Sequence, residues 1–112
     1  MTDDPELAAF AQCWNDGNFF MAHEVLEGLW VRRRDDTLQG LIQLAVALYH
    51  IERGNLRGAK TMIERARHRL AKPSSTKLPF SITAVDDYAG NVARALESGA
   101  AAGHVVGRRP RL

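Results

Sequence analysis

The segment LQGLIQLAVALYHI, residues 38–51, decides the fold of this chain because it is apolar in almost every direction around a helix axis. At about 100° per residue, its aliphatic side chains cover nearly the whole circumference of a helix. A helix of this kind is stable only when neighbouring elements bury it on all sides. Its polar exceptions, Gln39, Gln43 and His50, fall within about 40° of one another. The segment therefore predicts a central buried helix with one polar stripe.

Four further amphipathic segments flank the central helix along the chain. Pro5 suits the first position of one helix, and Asn18 and Asn55 suit the N-caps of two others. Asp36 and Gln39 have the spacing of a capping box for the central helix. The short connections favour antiparallel neighbours. These signals predict an all-α fold, a compact bundle of five helices at about residues 5–15, 19–33, 37–53, 56–71 and 82–98.

The last stretch, residues 99–112, shows no helical periodicity. It contains Gly103, Gly107 and the basic sequence RRPRL, and it offers few apolar side chains to bury. Segments of this composition rarely gain enough by burial to offset the entropy of ordering. We therefore expect a single helical domain over residues 1–98 and a flexible basic tail after it.

The composition is that of one soluble globular domain. The chain has 112 residues, of which 46% are hydrophobic and 25% are charged, and this length suits a single core. No apolar run approaches the roughly 20 residues that span a bilayer, and the N-terminal sequence lacks the features of a signal peptide. A single cysteine, Cys13, suits a reducing compartment. We expect a cytoplasmic protein with no membrane partner.

Charge is distributed unevenly along the chain although the net charge is only +2. Residues 1–31 contain acidic side chains and no Lys or Arg, whereas residues 32–77 are rich in Arg and Lys. One interpretation is a nucleic-acid patch; the other is a solvated basic face balanced by the acidic N-terminal part. No Phe, Trp or Tyr lies between Arg53 and Lys77 to stack on bases. We therefore expect at most weak nucleic-acid binding through the basic fourth helix.

The second helix carries an imidazole on its apolar face. His23 falls within about 60° of apolar residues of the same helix, and Glu27 lies one turn later at the margin of that face. A buried polar group without a partner costs roughly 1–3 kcal/mol, and the polar stripe of the central helix is the nearest source of partners. We therefore predict a buried polar seam between the second and third helices, formed by His23, Glu27, Gln39, Gln43 and His50.

Three sequence blocks in this order also resemble a known family. They are G-N-F-F-x-A-H-E-V-L-E-x-L-W, then Q-G-L-I-Q-L-A-V-A-L-Y-H, then G-N-x-x-G-A. The pattern resembles the bacterial and archaeal family called domain of unknown function 309, over about residues 14–72 and more loosely to residue 98. The resemblance implies a small all-helical bundle, and the family carries no established activity to transfer. It also implies a paired signature of His23, Glu24, Glu27 and Trp30 with Gln39, Gly40 and His50.

The residues of the seam allow three functions. In the first, the seam is a hydrogen-bond network that fixes helix register, while the outer surface binds a protein partner or forms a homodimer. In the second, His23, Glu27 and His50 bind a divalent transition metal, which imidazole and carboxylate ligands suit. In the third, Glu27 acts as the base of a hydrolase, with His23 or His50 as its partner.

From the sequence, the structural and interaction role is the preferred interpretation. Helical metalloprotease sites need a second histidine at the position of Glu27, and no nucleophile is marked by a Gly-x-Ser-x-Gly sequence. We therefore expect no cofactor, with a divalent transition metal as the alternative. The catalytic and metal-ligating assignments of His23, Glu27 and His50 remain hypotheses.

Overall fold

The computed structural model of the chain describes residues 4–74, 76–99 and 102–112. Across these residues the regular elements are all α-helices, which confirms the predicted all-α class. The five predicted helices are present with bounds that agree within one residue at each end, and a sixth short helix follows. They are α1 (Pro5–Asn15), α2 (Phe19–Arg33), α3 (Asp36–Glu52), α4 (Leu56–Leu70), α5 (Ile82–Ser98) and α6 (Ala102–Gly107).

Helix α3 lies at the centre of the bundle, packed between α2 and α4. Asp36 at the start of α3 pairs with Arg69 near the end of α4, with 2.6 Å between the charged groups. Phe20 at the start of α2 contacts Tyr49 near the end of α3, with 5.7 Å between the ring centroids. These end-to-end contacts make α2, α3 and α4 antiparallel neighbours. Helix α1 packs on α2, α5 packs on α4, and α6 packs on α5 and α3.

The start of α3 is fixed by Asp35, which is the N-cap residue. Its carboxylate accepts a hydrogen bond from the backbone N–H of Thr37 at 2.7 Å and others from the hydroxyls of Ser74 and Thr76. Burial alone would raise the pKa of Asp35, but these hydrogen bonds outweigh it and hold the pKa below its ordinary value. The capping box predicted from Asp36 is wrong by one residue, because Asp36 is already helical and pairs with α4.

Gly40 lets α4 approach α3 closely. A Cβ atom added at this position would lie 2.8 Å from Cγ of Leu70 and 3.2 Å from Cβ of Arg69. Neither atom is the free end of a flexible side chain, so a methyl group here forces the two helices apart. Helix α3 is buried on nearly every side, as its apolar circumference predicts.

Alanine substitution at two mid-helix glycines is therefore expected to have effects of opposite sign. Gly28→Ala on α2 meets only the tip of Arg32, at 3.9 Å, and should stabilise the domain by about 0.5–1 kcal/mol through helix propensity. Gly40→Ala gains the same propensity but overpacks the α3–α4 contact, and should destabilise by about 1–2 kcal/mol net. Urea denaturation of both variants measures the difference. Equal stabilisation would mean that α4 does not depend on Gly40.

The C-terminal segment, which we expected to be a flexible tail, instead folds against α1. The indole N–H of Trp14 donates to the carbonyl of Pro110 at 2.9 Å. Arg109 donates to the carbonyl oxygens of Trp14 and Asn15 at 2.9 and 3.2 Å. The backbone N–H of Leu112 donates to the side-chain oxygen of Asn15 at 2.8 Å. The C-terminal segment is ordered because the last carbonyls of α1 lack helical partners and this segment supplies donors to them. No local periodicity in the sequence can predict these donors.

The folded unit therefore extends past the boundary that we expected at residue 98. Helix α6 contributes buried Val105 and Val106 to the core, and the buried hydroxyl of Tyr88 donates to the carbonyl of Val105 at 2.7 Å. Burial raises the pKa of Tyr88 above its ordinary value, so this hydroxyl stays a donor at every ordinary pH. In the part of the chain that the structure describes, no helix combines the length and hydrophobicity needed to cross a bilayer.

Candidate functional site

The residues of the predicted seam do not meet in one buried network. Gln43 borders a groove formed with α4 rather than with α2, and its buried side-chain oxygen has no hydrogen-bond partner. The Nδ1 atom of His50 lies 3.3 Å from the side-chain nitrogen of Asn55, at the N-terminus of α4. Among the described residues, no hydrogen bond or ion pair joins either side chain to α2. The polar stripe of α3 therefore belongs to the α3–α4 side of the bundle.

The rotation of α3 explains this correction. Tyr49, which contacts α2 through Phe20, lies about 120° around the helix from Gln43. Because Gly40 has no side chain, α4 packs closely against the other side of α3, near the polar stripe. Gln39, Gln43 and His50 are half-buried; Gln43 lies beside residues of α4, and His50 lies beside its N-cap residue Asn55. A seam shared with α2 would need α3 to be rotated by about a third of a turn.

Three side chains of α2 do converge. One ligand atom each from His23, Glu24 and Glu27 lies within 4.8 Å of the other two. The side chain of His23 is only 16% exposed, whereas that of Glu24 is 46% exposed and Glu27 is exposed as well. We call these three residues the α2 cluster. It retains two of the three metal-ligand candidates, replaces His50 with Glu24, and opens to solvent rather than to the core.

The imidazole of His23 is held in one tautomer. Its Nδ1 atom lies 2.5 Å from the carbonyl oxygen of Phe20, and because a carbonyl only accepts, Nδ1 must carry the hydrogen. The Nε2 atom of the neutral ring then has a free lone pair, and it lies 3.5 Å from a carboxylate oxygen of Glu24. The Phe20 ring contacts the imidazole edge-on, with centroids 5.0 Å apart. The ring is thus oriented in the way that metal-ligating histidines commonly are, through a bond from their second nitrogen to a carbonyl.

Trp30 and the arginines after it have structural partners. The guanidinium of Arg34 lies 4.4 Å from the centre of the Trp30 ring. Arg32 pairs with Glu6 of α1 at 2.6 Å, and Arg33 pairs with the N-cap aspartate of α1 at 2.7 Å. The hydrogen bond from Arg32 lowers the pKa of Glu6 below its ordinary value. Acidic side chains of the N-terminal part thus pair with arginines of the basic run. This pairing agrees with the interpretation in which the acidic N-terminal part balances a solvated basic face.

The basic face of α4 is interrupted by acidic side chains. Lys60 and Arg67 border a groove that also contains Glu64. Arg67 and Arg94 border a second groove, towards α5, together with Asp86 and its neighbouring aspartate. A surface that tracks a nucleic-acid backbone needs a continuous basic strip. Weak nucleic-acid binding at most stays our prediction for this face.

Glu24 belongs to the family signature but is absent from the metal ligands that the sequence predicts. The available signal was the spacing His-Glu-x-x-Glu, which puts Glu24 and Glu27 three residues apart on one side of a helix. Phe20 was not singled out at all, because its contribution is a backbone carbonyl and a ring contact. Contributions of that kind depend on rotamers and become visible only in three dimensions.

This chain matches one family and two relatives that are described as uncharacterized proteins. The family described as "Domain of unknown function (DUF309)" matches residues 7–62. An uncharacterized protein of Aquifex aeolicus (strain VF5) is 34% identical over 68 residues, which are 56% of this chain and 20% of that protein. The uncharacterized protein YpuF of Bacillus subtilis (strain 168) is 42% identical over 62 residues, which are 46% of this chain and 36% of YpuF. The matched segment thus spans a fifth to about a third of these relatives, and no solved structure matches.

Proposed function

This chain belongs to the DUF309 family, and on that premise we propose that its domain binds a divalent transition-metal ion through His23, Glu24 and Glu27. The observation that carries the proposal is the convergence of three ligand atoms within 4.8 Å on one helix face. The fixed tautomer of His23 supports it, because the free nitrogen of the ring is the one beside Glu24.

The chemistry of the α2 cluster selects the class of ion. One imidazole nitrogen and two carboxylates suit zinc, iron or manganese better than calcium, which prefers oxygen ligands alone. Two carboxylates held close together repel each other, and a bound cation removes that repulsion. Three protein ligands also leave a coordination position open, as in catalytic metal sites. Such a position admits water or a ligand from another molecule.

The structural role that we preferred from the sequence does not account for the exposed carboxylates of the α2 cluster. A network that fixes helix register should join α2 to α3, yet Glu24 and Glu27 are exposed on α2. Exposed carboxylates of this kind contribute little to stability. The metal-free hydrolase hypothesis also loses one of its residues, because His50 lies against Asn55 of α4.

Isothermal titration calorimetry of chelator-treated protein with zinc and with manganese tests the proposal. We expect one ion per chain, and we expect His23→Ala and Glu27→Gln each to weaken binding by at least about tenfold, since each variant removes a ligand. His68→Ala is the matched control, because His68 is exposed on α4, and it should bind like the unmodified protein. Circular dichroism melting establishes that every variant is folded. Absence of binding, or equal binding by the His23 and His68 variants, would contradict the proposal.

A further inference from the structure

Two guanidinium groups converge in the groove between α4 and α5. Gly90 lines this groove and lies in the middle of α5. A Cβ atom added at Gly90 would lie 3.7 Å from a terminal nitrogen of Arg67 and 3.6 Å from a terminal nitrogen of Arg94. The first arginine belongs to α4 and the second to α5. Two positive charges from different helices therefore meet above a residue that has no side chain.

Neither guanidinium forms an ion pair with a carboxylate among the residues that the structure describes. Arg94 donates instead to the side-chain oxygen of Asn91, which is a neutral group. Like charges held close together repel each other, and a bound anion removes that repulsion. The planar fork of an arginine also matches the two oxygens of a carboxylate. The arginine pair is thus suited to hold one carboxylate between its two guanidinium groups.

The same groove also contains negative charge, from Asp86 and Asp87. Asp86, Gly90 and Arg94 are spaced by four residues each, so they follow one another along one side of α5. The glycine separates the acidic end of the groove from its basic end. The aspartates would repel a phosphate dianion. A molecule that has both a carboxylate and an ammonium group instead meets an opposite charge at each end.

The groove has room for a small molecule. Its volume is about 360 Å³, near the lower limit for ligand sites. Arg67 also borders the neighbouring groove, whose lining includes three apolar side chains, those of Ile63, Ala93 and Leu96. An apolar group of the ligand can lie in that neighbouring groove while its charged groups stay beside the arginine pair.

We propose that the groove between α4 and α5 binds a small zwitterion, with its carboxylate between Arg67 and Arg94 and its ammonium group beside the two aspartates. Free α-amino acids with an apolar side chain are the simplest molecules of this class. The site lies on α4 and α5, so it is independent of the metal binding that we propose for α2.

Nitrogen-15 NMR of the full chain during a titration with leucine tests the proposal through the backbone amides of Gly90 and Asn91. We expect their resonances to shift and to saturate. Acetyl-leucine lacks the ammonium group and leucine amide lacks the carboxylate. Each analogue should bind at least about tenfold more weakly, because each loses one contact between opposite charges.

Substitution of one arginine at a time tests the same contact from the side of the protein. Arg94→Gln should also weaken leucine binding by at least about tenfold. Arg57→Gln is the matched control, because Arg57 is an exposed arginine of α4 that does not line the groove, and this variant should bind leucine like the unmodified chain. Thermal melting followed by circular dichroism checks that both variants are folded.

Several results would overturn the proposal. If leucine leaves the resonances of Gly90 and Asn91 unchanged, the groove does not bind this class of molecule. If acetyl-leucine or inorganic phosphate binds as tightly as leucine, the groove is a simple anion site. If leucine amide binds as tightly as leucine, the carboxylate is not recognised. Equal leucine binding by the Arg94→Gln and Arg57→Gln variants would mean that the arginine pair does not contact the ligand.

Discussion

Replacing Trp14 with alanine is expected to destabilise the domain by about 3–5 kcal/mol, the range for truncating a buried aromatic side chain. Trp14 is fully buried and contacts three aromatic rings, those of Phe10, Phe19 and Tyr88, at centroid distances of 6.0, 5.9 and 5.8 Å. Its indole N–H also donates to the carbonyl of Pro110, which the substitution leaves without that donor. This one side chain therefore joins α1, α2, α5 and the C-terminal segment.

Trp30→Ala provides the matched control, since the chain has two tryptophans. Trp30 is half-buried, and its ring is covered by the guanidinium of Arg34, a contact worth about 0.5–1 kcal/mol at exposed sites. Urea denaturation followed by circular dichroism should give a markedly smaller loss for this variant than for Trp14→Ala. Equal losses would mean that Trp14 is not the centre of the aromatic core.

Replacing Arg109 with alanine is expected to destabilise the domain by about 2–4 kcal/mol, because hydrogen bonds from charged groups are worth about 1.5–3 kcal/mol each and do not add fully. Its guanidinium donates to three backbone carbonyls, those of Trp14, Asn15 and Val106. It also lies 5.0 Å from the centre of the Phe19 ring. The substitution leaves the last carbonyls of α1 without these donors.

Arg111→Ala removes the same charge from the same segment and is the control. Arg111 is exposed, so its loss should change stability by no more than about 0.5 kcal/mol. Urea denaturation of the two variants separates the stability lost with the Arg109 hydrogen bonds from the stability lost with one positive charge. If both variants lose the same stability, the C-terminal segment does not depend on the Arg109 contacts.

Local signals in the sequence are sufficient to predict the five long helices. Asn18 and Asn55 cap α2 and α4 through their side chains, as their positions predict. Gly54, which follows the C-cap residue of α3, has a φ of 78°, a conformation that glycine adopts without strain. The central position of α3 follows from its apolar circumference alone. Such features are predictable because each depends on residues close together in the chain.

The arrangement of the candidate site depends on information that the sequence does not contain. Helical spacing shows that His23 and Glu27 share a face, and the structure keeps them together. Spacing cannot show how far α3 is rotated relative to α2, so it cannot place His50. The contacts of Arg109 with Trp14 and Asn15 join residues more than 90 positions apart, and no periodicity predicts them. Relative rotation and long-range donors therefore limit sequence-based prediction here.

The proposed metal binding through Nε2 of His23 is tested most directly by nitrogen-15 NMR of the histidine rings during a zinc titration. We predict that, in metal-free protein, Nδ1 of His23 carries the hydrogen because of its bond to the Phe20 carbonyl. Added zinc should then shift the Nε2 resonance of His23 up to one equivalent, while the ring of exposed His68 stays unchanged. A His23 ring that does not respond, or that responds no more than His68, would contradict metal binding at the α2 cluster.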